Sequence, residues 1–277
     1  MKKLGLALGG GGARGCAHIG VIKALEEAGI KINYIAGTSI GAFVGGVYVC
    51  GDIKELEKYL LKVKWKDVLK HLDPVIPRKG LMAGKKVIKL NKKMLDHDDF
   101  KKAKIPFTAV ATELATGEEM HINKGKISNA VRASVAIPGI LTPFKKGRQY
   151  LLDGGVVNPL PINVVKKMGA DIVIAVDLNH YFVKEKLNKR YRTPKNKLSK
   201  FFGASWPNII DVLESSLFMM EDELSEKSLE IHKTDVLIRP KLGSTSIFDF
   251  HHAKKLISEG YKVTKAQIPK IKRLLNR

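Results

Sequence analysis

Cysteine is nearly absent from this chain: Cys16 and Cys50 are the two in 277 residues. That excludes a disulfide-stapled scaffold and a cysteine-rich zinc module, and it fits a reducing compartment. Acidic residues are scarce beside basic ones, 27 Asp+Glu against 49 Lys+Arg, for a formal net charge of +22. An excess of that size attracts nucleic acid, a membrane surface or an acidic ligand, and does not bear on fold. No nucleic-acid recognition motif accompanies it, and scattered lysines are the usual composition of a solvated face, so no nucleic-acid partner is expected. Internal repeats are lacking. So are long apolar runs: the twenty uncharged residues between Lys31 and Asp52 could span a bilayer by length. Five glycines plus Asn33, Thr38 and Ser39 dilute them, however, and a buried strand turning into a buried helix explains them better. The start imitates a secretory signal, but its apolar run Leu4–Leu8 is too short and Arg14 stands where processing needs a small residue. The expectation is a soluble cytoplasmic protein, at most peripheral at the inner membrane surface.

What is present is a globular mix, 44% hydrophobic and 27% charged, long enough to bury a core without staples. A single domain over residues 1–277 is expected. Leu4–Leu8 reads as a strand, residues 15–28 as a helix closed by Gly29, residues 34–37 as a strand and Ile40–Cys50 as a helix. Strand–helix–strand–helix implies a parallel sheet with right-handed crossovers. Further strands are expected at 107–112, 118–122, 149–152, 171–177 and 235–239, and helices at 127–135, 160–168, 207–232 and 252–275. Residues 52–104 are lysine-rich and mostly helical, with a turn at Asp73-Pro74 and a break near Arg78-Lys79-Gly80. Residues 184–206 open on Lys184 and close on Trp206. Their first seventeen positions hold eight Lys/Arg and one Glu, and Phe201 and Phe202 follow. This solvated insertion could bring the chain to an anionic membrane surface; residues 207–277 would supply the closing helices and last strand.

Three short motifs carry chemistry. In Gly37-Thr38-Ser39-Ile40-Gly41 a serine sits between strand and helix with glycines two residues away on each side. Such a turn projects Oγ at a helix N-terminus, where developing negative charge is favoured. In Gly9-Gly10-Gly11-Gly12-Ala13-Arg14-Gly15 consecutive glycines free backbone N–H groups to converge on an anion. The spacing of Gly10, Gly12 and Gly15 also suits a nucleotide-binding α/β protein, which would want an acid at the end of strand two. Ala36-Gly37-Thr38-Ser39 occupies that place. Beside Ser39 the loop is better placed as an oxyanion hole, with Arg14 either holding the loop or meeting an anionic head group. Third, Asp153 ends the apolar run Tyr150-Leu151-Leu152 and precedes Gly154 and Gly155. A carboxylate at the C-terminal end of a parallel strand lies on the edge where sites form.

Serine needs a base, and histidine is the usual one. The eight are His18, His71, His97, His121, His180, His232, His251 and His252. By the α/β-hydrolase chain order Ser, acid, His, His251 or His252 could complete a triad, but the elbow of that fold follows several strands and Ser39 follows the second; neither histidine has a motif around it, and both read as the solvated start of the closing helix. A non-catalytic basic membrane-surface adaptor is the remaining alternative.

Taken together, the three motifs resemble the patatin-like phospholipase family, whose pattern is G-G-G-x-R-G, G-x-S-x-G and D-G-[GA] in that order. The segment Ala133-Ser134-Val135-Ala136-Ile137-Pro138 is similar to the block before that family's acid. The likeness covers about residues 4–180 and is greatest to compact bacterial members. It implies a three-layer α/β/α sandwich with a mainly parallel central sheet, and a Ser39–Asp153 dyad without histidine. Ser39 would be the nucleophile, Asp153 the proton acceptor, and the N–H groups of about Gly11 and Gly12 the oxyanion donors. The implied chemistry is hydrolysis of a phospholipid or other acyl-ester lipid through an acyl-enzyme. The activity would be of the phospholipase A, lysophospholipase or carboxylesterase type, with no metal and no cofactor.

Overall fold

A computed structural model describes residues 2–64, 66–67, 82–182 and 209–276. The expected turn at Asp73-Pro74, the break near Arg78, His71 and the 184–206 insertion lie outside the described residues.

The first strand, β1 (Leu4–Leu8), is buried at every position. It lies between β2 (Tyr34–Thr38) and β7 (Ile172–Val176), parallel to both. The near-continuous apolar run of β7 is what a parallel strand covered on both faces requires. β3 (Phe107–Glu113) extends the parallel set beyond β2, and β8 (Val236–Ile238) beyond β7. Side-chain alternation then sorts the core into two layers. Leu4, Leu6, Leu8, Ile174 and Val176 join one cluster, while Ala7, Val173 and Ala175 join another. The first is covered by α1 (Cys16–Glu27), α2 (Ile40–Cys50), α3 (Ile53–Lys62), α4 (Lys85–Lys93) and α5 (Ile127–Ser134), with the closing helix α8 (Ala253–Leu275) packed along α1. On the other face lie α6 (Ile162–Lys167) and, through Leu229, α7 (Ile209–Ile231). Two helical layers around one sheet give the expected α/β/α sandwich.

The sheet is less parallel than the motifs suggested. β4 (Glu119–Ile122), β5 (Phe144–Lys146) and β6 (Gln149–Asp153) all pair antiparallel, against four parallel pairings elsewhere among the described residues. The strand order is β5-β6-β3-β2-β1-β7-β8, with β4 also on β3. Asp153 therefore ends an antiparallel strand, correcting the expectation of a parallel one. The registers explain how it still reaches the active edge. Pairing of β2 with β3 ends at Thr38↔Val110, and β3 runs on to Glu113. On that overrun β6 pairs antiparallel, with Asp153 opposite Ala111. One residue past Thr38 is Ser39, so the strand ends bring Ser39 and Asp153 to one level of the sheet.

No helix among the described residues is long and apolar enough to cross a membrane.

Candidate active site

Ser39 holds φ 55° and ψ −123°, and is the single non-glycine residue with positive φ among the described residues. A conformation of this kind costs on the order of 1–3 kcal/mol and persists only where its surroundings over-determine it. Two glycines make it possible. A Cβ on Gly37 would come within 2.5 Å of the Gly41 backbone, and one on Gly41 within 2.2 Å of the Leu8 carbonyl oxygen. The serine is then clamped through its own backbone. Its N–H donates to Ser134 Oγ (2.9 Å), whose hydroxyl donates to the Val110 carbonyl (2.5 Å). Its carbonyl accepts the Phe43 N–H of the first turn of α2.

Held this way, Ser39 Oγ donates to Asp153 Oδ2 at 2.6 Å. The other carboxylate oxygen, Oδ1, accepts the Gly155 N–H (2.8 Å). Both residues are nearly inaccessible, 5% and 1% exposed. Burial pushes the Asp153 carboxyl up to about 7, and the two hydrogen bonds restrain that rise. A carboxyl titrating there is matched to proton transfer near neutral pH. Among the described residues no histidine touches either group. His18 lies wholly buried behind the glycine loop with Nε2 2.8 Å from the Gly9 carbonyl, and burial takes its pKa down to about 4. His251 and His252 are exposed at the head of α8.

The glycine loop is anchored residue by residue. Gly9 and Gly10 donate their N–H groups to Val176 and Pro159, and Ala13 donates to Ile247. The N–H groups of Gly11 and Gly12 have no partner among the described residues. Gly12, at φ 56°, lines the same cavity as Ser39. A Cβ on Gly10 would lie 3.6 Å from the Ser39 Cβ, so loop and elbow are in direct contact. Gly15 admits the Ile40 side chain to 2.1 Å from its missing Cβ, and Gly154 the Val110 carbonyl to 2.4 Å. Of the two roles open to Arg14, the structure gives it the first. It is fully buried, its Nε donates to the Gly11 carbonyl (3.2 Å), and its guanidinium lies 4.0 and 3.9 Å from the ring centres of Phe182 and Phe218.

A cavity of about 180 Å³ opens from Ser39 and Gly12 between apolar side chains, including Phe43, Leu56, Leu90 and Phe248. Metal-ligand side-chain types meet elsewhere, where Asp177, His180, Asp222 and Glu226 gather. Arg239 donates to both Asp177 (2.8 Å) and Glu226, which makes this group an ion-pair network.

The model of the patatin-like phospholipase family matches residues 6–166. The chain belongs to the patatin-like phospholipase family. An uncharacterized NTE family protein of Mycobacterium bovis is 41% identical over 177 residues, 64% of this chain and 49% of the relative. Patatin-like phospholipase domain-containing protein 6 of Mus musculus is 36% identical over 182 residues, 63% of this chain and 13% of that protein. The chain thus spans about half the length of the mycobacterial relative. The crystal structure of VipD from Legionella pneumophila shares the fold at a TM-score of 0.51, with 16% identity, covering 97% of this chain and 67% of that one.

Several residues of this patatin-like site lie outside the three motifs. Ser134 falls in the block before the acid, but its clamp on Ser39 is a tertiary contact. Glu221, on α7, is 2% exposed and accepts from Asn179 Nδ2 (2.7 Å), while Arg14 donates to Asn179 Oδ1 (2.9 Å). A signal for Glu221 exists in the sequence. Glu214, Phe218, Glu221 and Ser225 recur at helical spacing and are all buried, so two acids share the stripe of a core phenylalanine. Ile247, Phe248 and Phe250 follow the last strand without any motif.

Proposed function

We propose that the chain hydrolyses acyl esters of lipids, with Ser39 as nucleophile and Asp153 as proton acceptor. The observation that carries this reading is the 2.6 Å Ser39 Oγ–Asp153 Oδ2 hydrogen bond, buried at the head of an apolar cavity. As Oγ bonds to the acyl carbon, its proton passes to Asp153. The carbonyl oxygen becomes an oxyanion facing the N–H groups of Gly11 and Gly12, each such donor contributing about 2.7–4 kcal/mol in other enzymes. The ester C–O bond breaks and the leaving alcohol takes the proton from Asp153. Water then gives a proton to Asp153 as it attacks the acyl-enzyme, and the same proton returns to Ser39 as the fatty acid departs. The cavity supplies apolar walls for the acyl chain. A fluorophosphonate probe is expected to modify Ser39 alone; mapping the label to another residue, or no label on folded protein, would refute the assignment.

A bilayer surface is the natural source of such a substrate, and α4 suits it. This nine-residue helix carries Lys85, Lys86, Lys89, Lys92 and Lys93 and no acid, and its Val87 and Leu90 line the cavity. Lysines near an anionic membrane are worth about 1 kcal/mol each. Replacing Lys89, Lys92 and Lys93 with Gln should weaken co-sedimentation with phosphatidylserine vesicles by roughly fivefold per residue. Binding indifferent to these changes and to salt would rule the helix out.

A further inference from the structure

The reaction described above uses one buried carboxylate, yet the site holds two. Glu221 enters from α7, and its place is fixed by what it nearly touches. The position that a Cβ would take on Gly155 lies 2.2 Å from Glu221 Oε1 and 3.2 Å from Asp153 Oδ1. The two carboxyls therefore face each other across a residue that must lack a side chain. The second oxygen, Oε2, lies 3.4 Å from the corresponding position on Gly10, at the foot of the glycine loop. Its hydrogen-bond donor is the neutral amide of Asn179, and Oε1 has no donor among the described residues.

We propose that Glu221 is a positioning residue for the Ser39–Asp153 pair, one proton being held between the Glu221 and Asp153 carboxyls across Gly155 so that the site carries a single negative charge. The distribution of donors decides where that charge rests. Asp153 accepts two hydrogen bonds, from Ser39 and Gly155, against one for Glu221, so Asp153 is the anion and Glu221 keeps the proton. Other charges face the pair from neighbouring elements. Arg14 favours an ionised Glu221, and Asp177 opposes it; Glu214 and Asp222 add negative charge around Arg14. Burial and the Asp153 charge outweigh Arg14, and the Glu221 carboxyl is pushed up to about 8. Above that pH a second anion would sit at the foot of the loop that must receive the oxyanion.

This inference rests on the Ser–Asp reading, and the test separates the two. The rate of fluorophosphonate labelling at Ser39, followed against pH, should rise with ionisation of Asp153 and fall as Glu221 ionises. By about pH 9 the wild-type rate should be roughly tenfold below its maximum. Glu221→Gln keeps the side-chain size but cannot ionise, and it should abolish the falling limb, holding the rate within about twofold of its own maximum. A falling limb that survives in E221Q overturns the proposal and leaves the dyad standing. Lack of Ser39 labelling in wild type at every pH removes the dyad itself, and the proposal with it.

Unfolding of the wild-type protein gives a readout that needs neither variant nor turnover. A folded-state pKa raised by burial means that the native state holds protons which the unfolded state has lost, so stability is lost as pH rises through the folded value. His18 works with the opposite sign, but by pH 6.5 it has reached, and Asp222 has passed, the upper midpoint of its titration, 6.5 and about 6. From there to pH 8 the unfolding equilibrium constant should increase about tenfold per pH unit for each extra proton held. A slope that ends near pH 7 leaves a single buried carboxyl and also overturns the proposal.

Discussion

Ser39→Ala and Asp153→Asn are each expected to lower kcat/KM for a p-nitrophenyl acyl ester by about 10⁴- to 10⁶-fold, the range found when members of other nucleophile–base units are removed. The double variant should be no slower than the slower single one. The reason is the geometry. Among the described residues Ser39 Oγ has one hydrogen-bond acceptor, Asp153 Oδ2, and Ser39 is the link from Asp153 to the proposed reacting atoms. Removing either leaves the oxyanion donors and the cavity intact but no proton path, so the second removal takes away nothing further. Asp153→Asn should stay folded, since an amide replaces a buried acid without changing volume and its oxygen can still accept from Gly155. Circular dichroism and urea unfolding check that condition. Turnover within tenfold of wild type in either folded single variant would end the dyad assignment, as would a double variant whose losses multiply.

How much of this could be read in the chain beforehand follows from the range of each interaction. The elbow was legible because strand, turn and helix are contiguous, and because Gly37 and Gly41 answer to one local steric demand. The glycine loop was legible for the same reason, including its closeness to Ser39, since consecutive parallel strands β1 and β2 set the two turns side by side. The direction of β6 was not. Residues 149–152 read as a strand in either sense, and what turns it antiparallel is the overrun of β3 beyond Val110, a length difference between two distant strands. Glu221 and Asn179 were hidden by distance along the chain. A buried acid on a helix stripe carries no label saying which cavity it meets. Phe218 likewise reads as ordinary core, although one of its neighbours is a guanidinium.

That guanidinium gives the second large effect. Arg14 Nε donates to the Gly11 carbonyl, and the Arg14 backbone N–H donates to it as well (3.2 Å for each). The Gly11 carbonyl belongs to the same planar peptide as the Gly12 N–H, so fixing the oxygen fixes the direction of that N–H, a proposed oxyanion donor, on the opposite side. Arg14→Ala would open a void between Phe182 and Phe218, take from the Gly11 carbonyl one of its two donors and from Asn179 Oδ1 its guanidinium donor, and leave Glu221, Glu214, Asp177 and Asp222 without their shared cation. A loss of about 3–5 kcal/mol of unfolding free energy is expected by denaturant titration. Arg14→Lys is the sharper test. It keeps a charge but has no plane to stack between two rings and no fork to reach Gly11 and Asn179 together. Lysine should recover part of the stability and little of the activity, with kcat for the acyl ester about 10²-fold or more below wild type, the scale of one lost oxyanion donor. KM should change far less, because the cavity proposed for the acyl chain is not lined by Arg14. A folded R14K variant with wild-type kcat would show that the glycine loop holds its shape unaided.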